Sequence, residues 1–308
     1  MRFLISRTAF WVIGGAVAAA AFSTHAQAET LVIAVQPTQT PEQLSSQAKD
    51  LEAVLEAELG IDVELKFPTS YAGTIEALRF GHAQAAFMGA WPAAIAAEEA
   101  QADVVLAEIR EVTIGRHRAE APSYYSYWIV PIDSPYQTLQ DLKGKHVAFT
   151  SQLSSSGYLA PLARLVELDL VQPGKPADPQ QWFSEVRFAG GYSQAWEALK
   201  SGQVDVSIIA GDVPEALYQE VLGATRVIET QGPIPSHAVV VSSSLQDPLR
   251  TRLIQALLTL NQPERQALMR KFISGTFIRF EPATTQGHLG PLNTMLEKAG
   301  LTYAETAR

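Results

Sequence analysis

An internal repeat constrains the fold of this chain more than any other feature of its sequence. Residues 71–81 align without gaps with residues 192–202, which lie 121 positions further on, and five of the eleven aligned residues are identical. Each copy has a helical pattern that follows one strand-like segment and precedes another. Shared sequence in a shared context predicts equivalent units in two α/β lobes.

Strands and helices alternate along much of the chain. Residues 31–35 are apolar and β-branched, as in a buried parallel strand, and Thr40, Pro41 and Gln43 then provide the N-cap, first position and capping box of an amphipathic helix. The pattern continues with strands over 61–67, 85–88, 104–109, 123–130, 204–209 and 238–241 and helices over 71–80, 92–100, 214–222, 247–260 and 263–272. This alternation predicts an α/β fold with parallel-rich mixed sheets and helices on both faces.

Two segments that contain proline divide the chain into lobes. We expect one crossing near Pro122 and another at Pro233, because proline continues neither a helix nor a central strand. Lobe I then comprises residues 29–121 and 233–308, and lobe II comprises residues 122–232. Two such crossings predict a hinged pair of lobes with a cleft between them.

The first 28 residues are typical of a secretory signal peptide. Arg2 and Arg7 precede an uncharged stretch, and an Ala-x-Ala sequence predicts cleavage after Ala28. The apolar stretch is shorter than the roughly 20 residues of a spanning helix, so an uncleaved anchor is the less favoured alternative. Removing these residues leaves 280, and the loss of two arginines changes the formal net charge from −9 to −11. We expect the mature protein in the periplasm.

The acidic charge and the lack of cysteine exclude several classes of function. Nucleic acid and anionic membrane surfaces are poor partners for a chain with this net charge. The 308 residues include no cysteine, which excludes a disulfide framework, a thiolate metal site, a cysteine nucleophile and a lipid-anchoring motif. The histidines show no metal-binding spacing. We therefore expect neither a metal nor a cofactor.

A cluster of hydroxyl groups provides the first candidate binding site. Ser154, Ser155, Ser156 and Gly157 follow a predicted strand and precede apolar residues at helical spacing. Free backbone N–H groups and the helix dipole favour an anion at such a helix N-terminus, and serine hydroxyls add uncharged donors. The alternative is that one serine caps the helix and the others are solvated. The sequence lacks a Walker motif, which disfavours nucleotide binding.

Four further residues are placed where ligands of such a fold collect. Tyr71 and Tyr192 begin the two repeated helices, so both are expected to point into the cleft, although either can instead pack on its own helix. Asp212 and Trp91 each follow the carboxyl end of a strand. For Asp212 the alternative is an N-cap for the next helix, and for Trp91 it is a place in the core.

The chain resembles the periplasmic phosphate/phosphite/phosphonate-binding proteins, which are the substrate-binding components of ABC importers. The resemblance covers most of the chain after residue 28. It rests on the segments YAGTIEALRFG from residue 71, PSYYSYWIVP from residue 122, DSP from residue 133, DLKGK from residue 141, SSSGYLAP from residue 154 and PIP from residue 233. It implies a periplasmic-binding-protein type II fold and capture of a phosphorus oxyanion between the lobes.

The resemblance also implies which residues contact the ligand. In this family a Ser-Thr-Ser-Gly turn holds the phosphonate oxygens, and it corresponds here to the serine cluster, with serine in place of the threonine. A family tyrosine corresponds to Tyr71, and an acidic residue that meets the organic end of aminophosphonates falls near Asp212. Tyr125, within a matched segment, and His237, where relatives carry other residues, complete the candidates. A histidine and a carboxylate of relatives are replaced around Tyr192, so phosphite, phosphate, another oxyanion and a different organophosphonate remain open as ligands.

Two other functions remain as alternatives. A sensing protein would use the same binding fold to present its loaded form to a sensor kinase or chemoreceptor instead of a permease. A serine hydrolase would use Ser193, Asp212 and His237, which occur in Ser, Asp, His order, but its nucleophile motif is imperfect. We favour a monomeric, non-enzymatic binding protein whose partners are a small oxyanion and an ABC permease, or a sensor protein, in the inner membrane.

Overall fold

The computed structural model describes residues 30–37, 41–114, 117–174, 176–272 and 275–301. The predicted signal peptide and the predicted cap at Thr40 lie outside these ranges. In chain order, the strands are β1 (Leu31–Val35), β2 (Val63–Lys66), β3 (Ala85–Met88), β4 (Ala102–Ile114), β5 (His117–Ala121), β6 (Ser123–Pro131), β7 (His146–Phe149), β8 (Glu185–Phe188), β9 (Val206–Ala210), β10 (Thr225–Pro235), β11 (Ala238–Ser242) and β12 (Phe277–Pro282).

Helices separate most of these strands, as the alternation predicts. In chain order, they are α1 (Pro41–Leu59), α2 (Tyr71–Arg79), α3 (Ala90–Glu99), α4 (Ala160–Glu167), α5 (Tyr192–Lys200), α6 (Glu215–Ala224), α7 (Leu249–Leu258), α8 (Pro263–Phe272) and α9 (Thr285–Ala299). A π-helical turn over Ser155–Leu159 leads directly into α4. Among the described residues, no helix is both long and apolar enough to cross a membrane.

The strands form two mixed sheets. The first sheet has the order β12-β4-β11-β3-β1-β2, with β5 paired to β4, and the second has the order β10-β6-β9-β7-β8. Among the strands of the described residues, parallel pairing joins only β2-β1-β3 in the first sheet and β8-β7-β9 in the second. The remaining pairs are antiparallel, so the parallel arrangement that we expected from the alternation is confined to one part of each sheet.

Within the part of the chain that the structure describes, the backbone passes between the sheets twice. The first passage lies at Pro122, between β5 and β6, and the second lies at Ser236 and His237, between β10 and β11. Because β10 stays paired with β6 through Pro235, the second change of sheet comes a few residues after the predicted position at Pro233. The assignment of the two lobes stays a prediction.

The C-terminal helix α9 contacts both halves of the molecule. Leu289, Leu292 and Leu296 on this helix belong to an apolar cluster that also contains Trp91 from α3 and Trp128 from β6. The amide of Ala177 donates to the carbonyl of Ala299 over 2.9 Å. Burying each such large side chain stabilises the fold by roughly 1.5–3 kcal/mol. Residues 285–299, which we assigned to lobe I, therefore also pack against the second half of the molecule.

Candidate functional site

A pocket lies where the carboxyl ends of the parallel strands of both sheets meet. Its cavity volume is about 10 Å³. Its lining residues are Gln36, Tyr71, Gly89, Pro92, Tyr124, Ser154, Ser155, Ser156, Tyr192, Asp212, Val213 and His237. In α/β sheets ligands collect at this edge, because the loops at the carboxyl ends of the strands converge there.

Several helices begin at this pocket. Tyr71 is the first residue of α2, Gly89 is the N-cap of α3, Ser154 is the N-cap of the π-helical turn, and Tyr192 is the first residue of α5. Each helix N-terminus carries a partial positive charge and amides without a partner inside the helix. Among the described lining residues there is no lysine or arginine. The hydrogen-bond donors of the described lining are therefore uncharged groups, chiefly backbone amides and hydroxyls.

The serine turn is built by close packing of a glycine against a threonine. Ser154 Oγ accepts a hydrogen bond from the Gly157 amide over 2.9 Å and so caps the turn. A Cβ atom at Gly157 would lie 2.0 Å from Thr150 Oγ1, so only glycine fits at this position. Ser155 Oγ accepts from the Trp91 amide over 2.9 Å, which ties the turn to the start of α3. The turn thus joins elements from both sheets.

Three buried phenols surround the serines. Tyr124 Oη donates to Ser156 Oγ over 2.8 Å, and Ser156 Oγ lies 2.6 Å from Tyr192 Oη. Burial and the Asp212 carboxylate together raise the pKa of Tyr71 to about 12, and burial is the main reason that the pKa values of Tyr124 and Tyr192 lie well above 10. All three hydroxyl groups therefore stay protonated at neutral pH, and the proton of Tyr124 is donated to Ser156 Oγ.

A buried charge cluster borders the pocket. Arg110 on β4 donates from Nε and Nη2 to Glu108 Oε2 over 2.9 and 2.6 Å, and from Nη1 to Asp212 Oδ2 over 3.0 Å. Burial raises the pKa of Asp212, although Arg110 and the residue's own amide oppose this effect. Burial raises the pKa of Glu108 in the same way. The two carboxylates hold the pKa of Arg110 above its usual value despite its burial.

His237 lies beside this cluster as a neutral side chain. Its Nε2 is 3.3 Å from Asp212 Oδ2, but burial and the nearby Arg110 hold its pKa well below 6.5. The contact is therefore one between a neutral imidazole and a carboxylate. Ser236 directly precedes His237, and its carbonyl lies 2.9 Å from His288 Nε2. Burial also lowers the pKa of His288. Among the described residues, no three His, Asp or Glu side chains are arranged to hold a metal ion.

The structure brings together most of the residues that we selected from the sequence. The pocket lining includes Ser154, Ser155, Ser156, Tyr71, Tyr192, Asp212 and His237. The backbone amides of Gly157 and Trp91 hold the serine turn by donating to Ser154 Oγ and Ser155 Oγ. The Trp91 side chain itself is fully buried in the core. Asp212 does not cap the next helix, because Pro214 occupies the N-cap position.

Two residues that we selected lie elsewhere. Tyr125 is outside the pocket, and its neighbour Tyr124 lines it, because successive side chains of a strand point to opposite faces. Ser193 lies in a separate surface depression with Trp196 and Pro214, away from Asp212 and His237. These three residues therefore form no catalytic triad, and the hydrolase alternative was wrong.

Sequence reasoning missed Arg110, Glu108, Tyr124 and Gln36. Glu108 and Arg110 are two residues apart in a long strand, and opposite charges on one face of β4 were the only signal of the pair. Gln36, which directly follows β1, accepts from the Gly89 amide over 3.0 Å through Oε1. A search of every residue after a parallel strand would have found Gln36.

The chain matches the family described as the periplasmic substrate-binding protein of the phosphonate ABC transporter over residues 33–289. It is also 30% identical over 178 residues to the phosphate-import protein PhnD of Mycolicibacterium smegmatis. That alignment covers 58% of this chain and 54% of the relative, so the chain spans about half the length of that relative.

Two solved structures share the fold. One is a binding protein component of an ABC phosphonate transporter from Pseudomonas aeruginosa, with 21% identity, a TM-score of 0.75 and coverage of 87% of this chain and 86% of that chain. The other is PhnD1 from Prochlorococcus marinus in complex with methylphosphonate, with 16% identity, a TM-score of 0.70 and coverage of 87% and 97%. The predicted periplasmic-binding-protein type II fold is confirmed. On the family match, this chain belongs to the phosphonate-binding periplasmic substrate-binding proteins of ABC transporters.

Proposed function

We propose that this protein captures a phosphorus oxyanion, namely a phosphonate, phosphite or phosphate, in the pocket and presents it to an ABC permease. The serine turn carries this proposal, since Ser154, Ser155 and Ser156 are buried at a helix N-terminus and face three protonated phenols. Family membership supports it, as do the relative that is named for phosphate import and the neighbour in complex with methylphosphonate.

The donors around Ser155 suit a tetrahedral oxyanion. Because Ser155 Oγ already accepts from the Trp91 amide, its own O–H is free to donate to a ligand. The amides of Ser155 and Ser156 lie in the first turn, where the helix offers no acceptor for them. Hydrogen bonds to a charged acceptor are stronger than those between neutral groups. A set of such donors binds an anion without a fixed countercharge, so the ligand can leave again for the permease.

The ligand is expected to draw the two halves of the pocket together. Tyr71 and Gly89 lie beyond strands of the first sheet, and Ser156 and Tyr192 lie beyond strands of the second. An oxyanion that accepts from both sets favours the closed arrangement by its differential affinity for the two states. A permease that recognises this arrangement then receives only the loaded protein. The same role requires export, which agrees with the predicted signal peptide.

Isothermal titration with phosphite, methylphosphonate, 2-aminoethylphosphonate and phosphate tests the proposal. We expect at least one of the four to bind, and the substitution Ser155→Ala to weaken that binding about tenfold or more, since a hydrogen bond to a charged group contributes about 1.5–3 kcal/mol. Ser193→Ala is the matched control, because Ser193 lies in the first turn of α5 but outside the pocket and should leave binding unchanged. No heat with any of the four, or equal affinity after Ser155→Ala, would contradict the proposal.

A further inference from the structure

The repeat extends beyond the pocket and duplicates charges at the surface. At the same offset of 121 positions, residues 64–67 (ELKF) align with residues 185–188 (EVRF). Residues 64–81 contain four charged side chains, and each has a counterpart of the same sign in residues 185–202, which contain no further charge. The matched pairs are Glu64 and Glu185, Lys66 and Arg187, Glu76 and Glu197, and Arg79 and Lys200. The two copies therefore share a charge pattern as well as a backbone.

Folding does not account for these matched charges. The tyrosines, leucines and glycines that the copies share have structural places, since they line the pocket, lie in the core and follow the helices at positive φ. The charged side chains lie at the surface, where ion pairs contribute little to stability and most substitutions are tolerated. A charge pattern that two surfaces share without needing it to fold indicates that both make the same kind of contact.

The matched charges on the strands neutralise each other. Strands β2 and β8 each lie at an edge of their sheet. On β2, Lys66 Nζ lies 3.6 Å from Glu64 Oε2. On β8, Arg187 forms the same pair with Glu185. These two strands therefore add no net charge to either surface, and the excess charge comes from the helices.

The helices of the first copy carry one carboxylate more than they can pair. Arg79 Nη1 on α2 lies 3.5 Å from Glu99 Oε2 on α3. Glu76 is exposed on α2, about one turn before Arg79. We call these three residues, Glu76, Arg79 and Glu99, the first helix surface. It has two carboxylates and one guanidinium, and so a formal charge of about −1 at neutral pH.

The helices of the second copy repeat this arrangement. Lys200 Nζ on α5 lies 2.8 Å from Glu220 Oε1 on α6, and Glu220 follows Glu99 by the same 121 positions. Lys200 Nζ also lies 3.8 Å from Glu197 Oε1, whose side chain is 67% exposed. Glu197, Lys200 and Glu220 form the second helix surface. One ammonium group again faces two carboxylates, so this surface has the same excess charge.

Both helix surfaces border the pocket. Helices α2 and α5 begin at the two tyrosines that line it. Glu76 and Glu197 follow five residues later, about 7.5 Å along each helix axis. On the second helix surface, a depression of about 330 Å³ is lined by Glu197, Glu220 and Pro214. Pro214 directly follows Val213, which lines the pocket, so a partner seated in the depression also meets a loop of the pocket wall.

We propose that the two helix surfaces dock the ABC permease, which contacts Glu76 and Glu197 through two equivalent basic side chains. The excess negative charge of each surface favours a basic group on the partner. Two like surfaces on one chain match a partner of two like subunits, because twofold symmetry presents the same group twice. This inference rests on the proposed function, from which it takes the permease.

Docking at both surfaces lets the permease distinguish the loaded protein from the empty one. The ligand is expected to draw the two halves of the pocket together, which changes the separation of Glu76 and Glu197. A partner with basic groups at a fixed spacing contacts both glutamates at one separation only, and the second contact is then intramolecular and gains from a high effective concentration. The permease therefore binds the loaded protein more tightly than the empty protein.

Binding of the loaded protein to its permease tests the inference. The protein is saturated with whichever of the four phosphorus ligands binds most tightly, and surface plasmon resonance measures its affinity for the permease in lipid nanodiscs. Glu76→Gln and Glu197→Gln should each weaken this affinity by about tenfold, because each removes one of two equivalent charge pairs. The double variant should lose about 100-fold, since the effects of distant sites add in free energy.

Glu98→Gln is the matched control, because Glu98 is an exposed glutamate of α3 whose counterpart, 121 positions later, is Gln219. The two copies do not share its charge, so its removal should change the affinity for the permease by less than about twofold. All of these variants should bind the phosphorus ligand as the unchanged protein does, because none of the substituted residues lines the pocket. The same titration shows that each variant is folded.

The outcomes separate this inference from the function on which it rests. If none of the four phosphorus ligands binds, the proposed function is contradicted and the inference is lost with it. If a ligand binds but the glutamate variants keep their affinity for the permease, or only one of them loses it, the function stands and the inference is overturned. It is also overturned if sedimentation shows a dimer that Glu76→Gln and Glu197→Gln dissociate, because a second copy then occupies the surfaces.

Discussion

The two copies of the repeat have the same backbone but surround the pocket with different chemistry. Helices α2 and α5 each begin at a tyrosine that is 4% exposed, and each is followed by a glycine at positive φ, +72° at Gly81 and +71° at Gly202. Each helix leads into a strand, β3 or β9, that pairs in parallel with one neighbour and antiparallel with the other. Both tyrosines, Tyr71 and Tyr192, thereby line the pocket.

The two copies differ in the loop after the next strand. In the first copy, β3 leads to Gly89, where α3 begins and provides amides. In the second copy, β9 leads to Asp212, which provides a carboxylate, and the serine turn comes after the neighbouring strand β7. A repeated fold thus fixes where a ligand lies, whereas residues in non-equivalent loops decide which ligand binds. We therefore expect substitutions in the repeated elements and in the non-equivalent loops to change stability and ligand binding by different amounts.

The largest effect is expected from Arg110, whose ion pair connects β4 in the first half of the molecule with Asp212 in the second. Arg110→Met leaves two buried carboxylates without a countercharge, which should reduce the free energy of unfolding by about 3–5 kcal/mol. Thermal and urea unfolding measure this free energy. Arg250→Met is the control, since Arg250 pairs with Asp103 at the surface and should cost at most about 1 kcal/mol. Similar losses for both variants would contradict the structural role of Arg110.

A smaller effect is expected at the serine turn of the second half. Gly157→Ala places a Cβ atom against Thr150 and Ser154, and overpacking of this kind should cost about 1–3 kcal/mol of unfolding free energy. Ligand binding should be lost as well, because the turn has to shift. Gly223→Ala is the control, since a Cβ atom added there in α6 would meet no other atom within 4 Å, and it should slightly stabilise the protein. Urea unfolding measures the stability of both variants, and titration with ligand measures their binding.

The smallest effect tests the equivalence of the two tyrosines. Tyr71→Phe and Tyr192→Phe each remove one hydroxyl donor from the pocket, and each should weaken ligand binding by about tenfold, which corresponds to about 1.4 kcal/mol. Tyr125→Phe should have no effect, because Tyr125 lies outside the pocket. If only one of the pocket variants weakens binding, the two copies of the repeat do not contribute equally to the site. Titration with whichever phosphorus ligand binds gives the answer.

Much of the site was predictable because its residues occupy positions that local sequence defines. The serine turn follows a strand and opens a helix, and periodicity alone identifies both elements. The choice between Tyr124 and Tyr125 was not predictable in this way, since it depends on which face of β6 meets the pocket. The position of Ser193 was missed for a related reason, because its side chain lies on the outer side of the helix whose first residue, Tyr192, faces inward.

The sequence by itself determined the order of strands and helices, the repeat and the cluster of donors at Ser154–Gly157, because each of these depends on the spacing of apolar residues, prolines, glycines and caps along a short segment. Only the tertiary structure decided that Arg110 meets Asp212, 102 residues away. That contact depends on how β4 of one sheet approaches the loop after β9 of the other. Long-range contacts of this kind leave no periodic signal, since the two partners belong to distant segments and neither segment specifies the other.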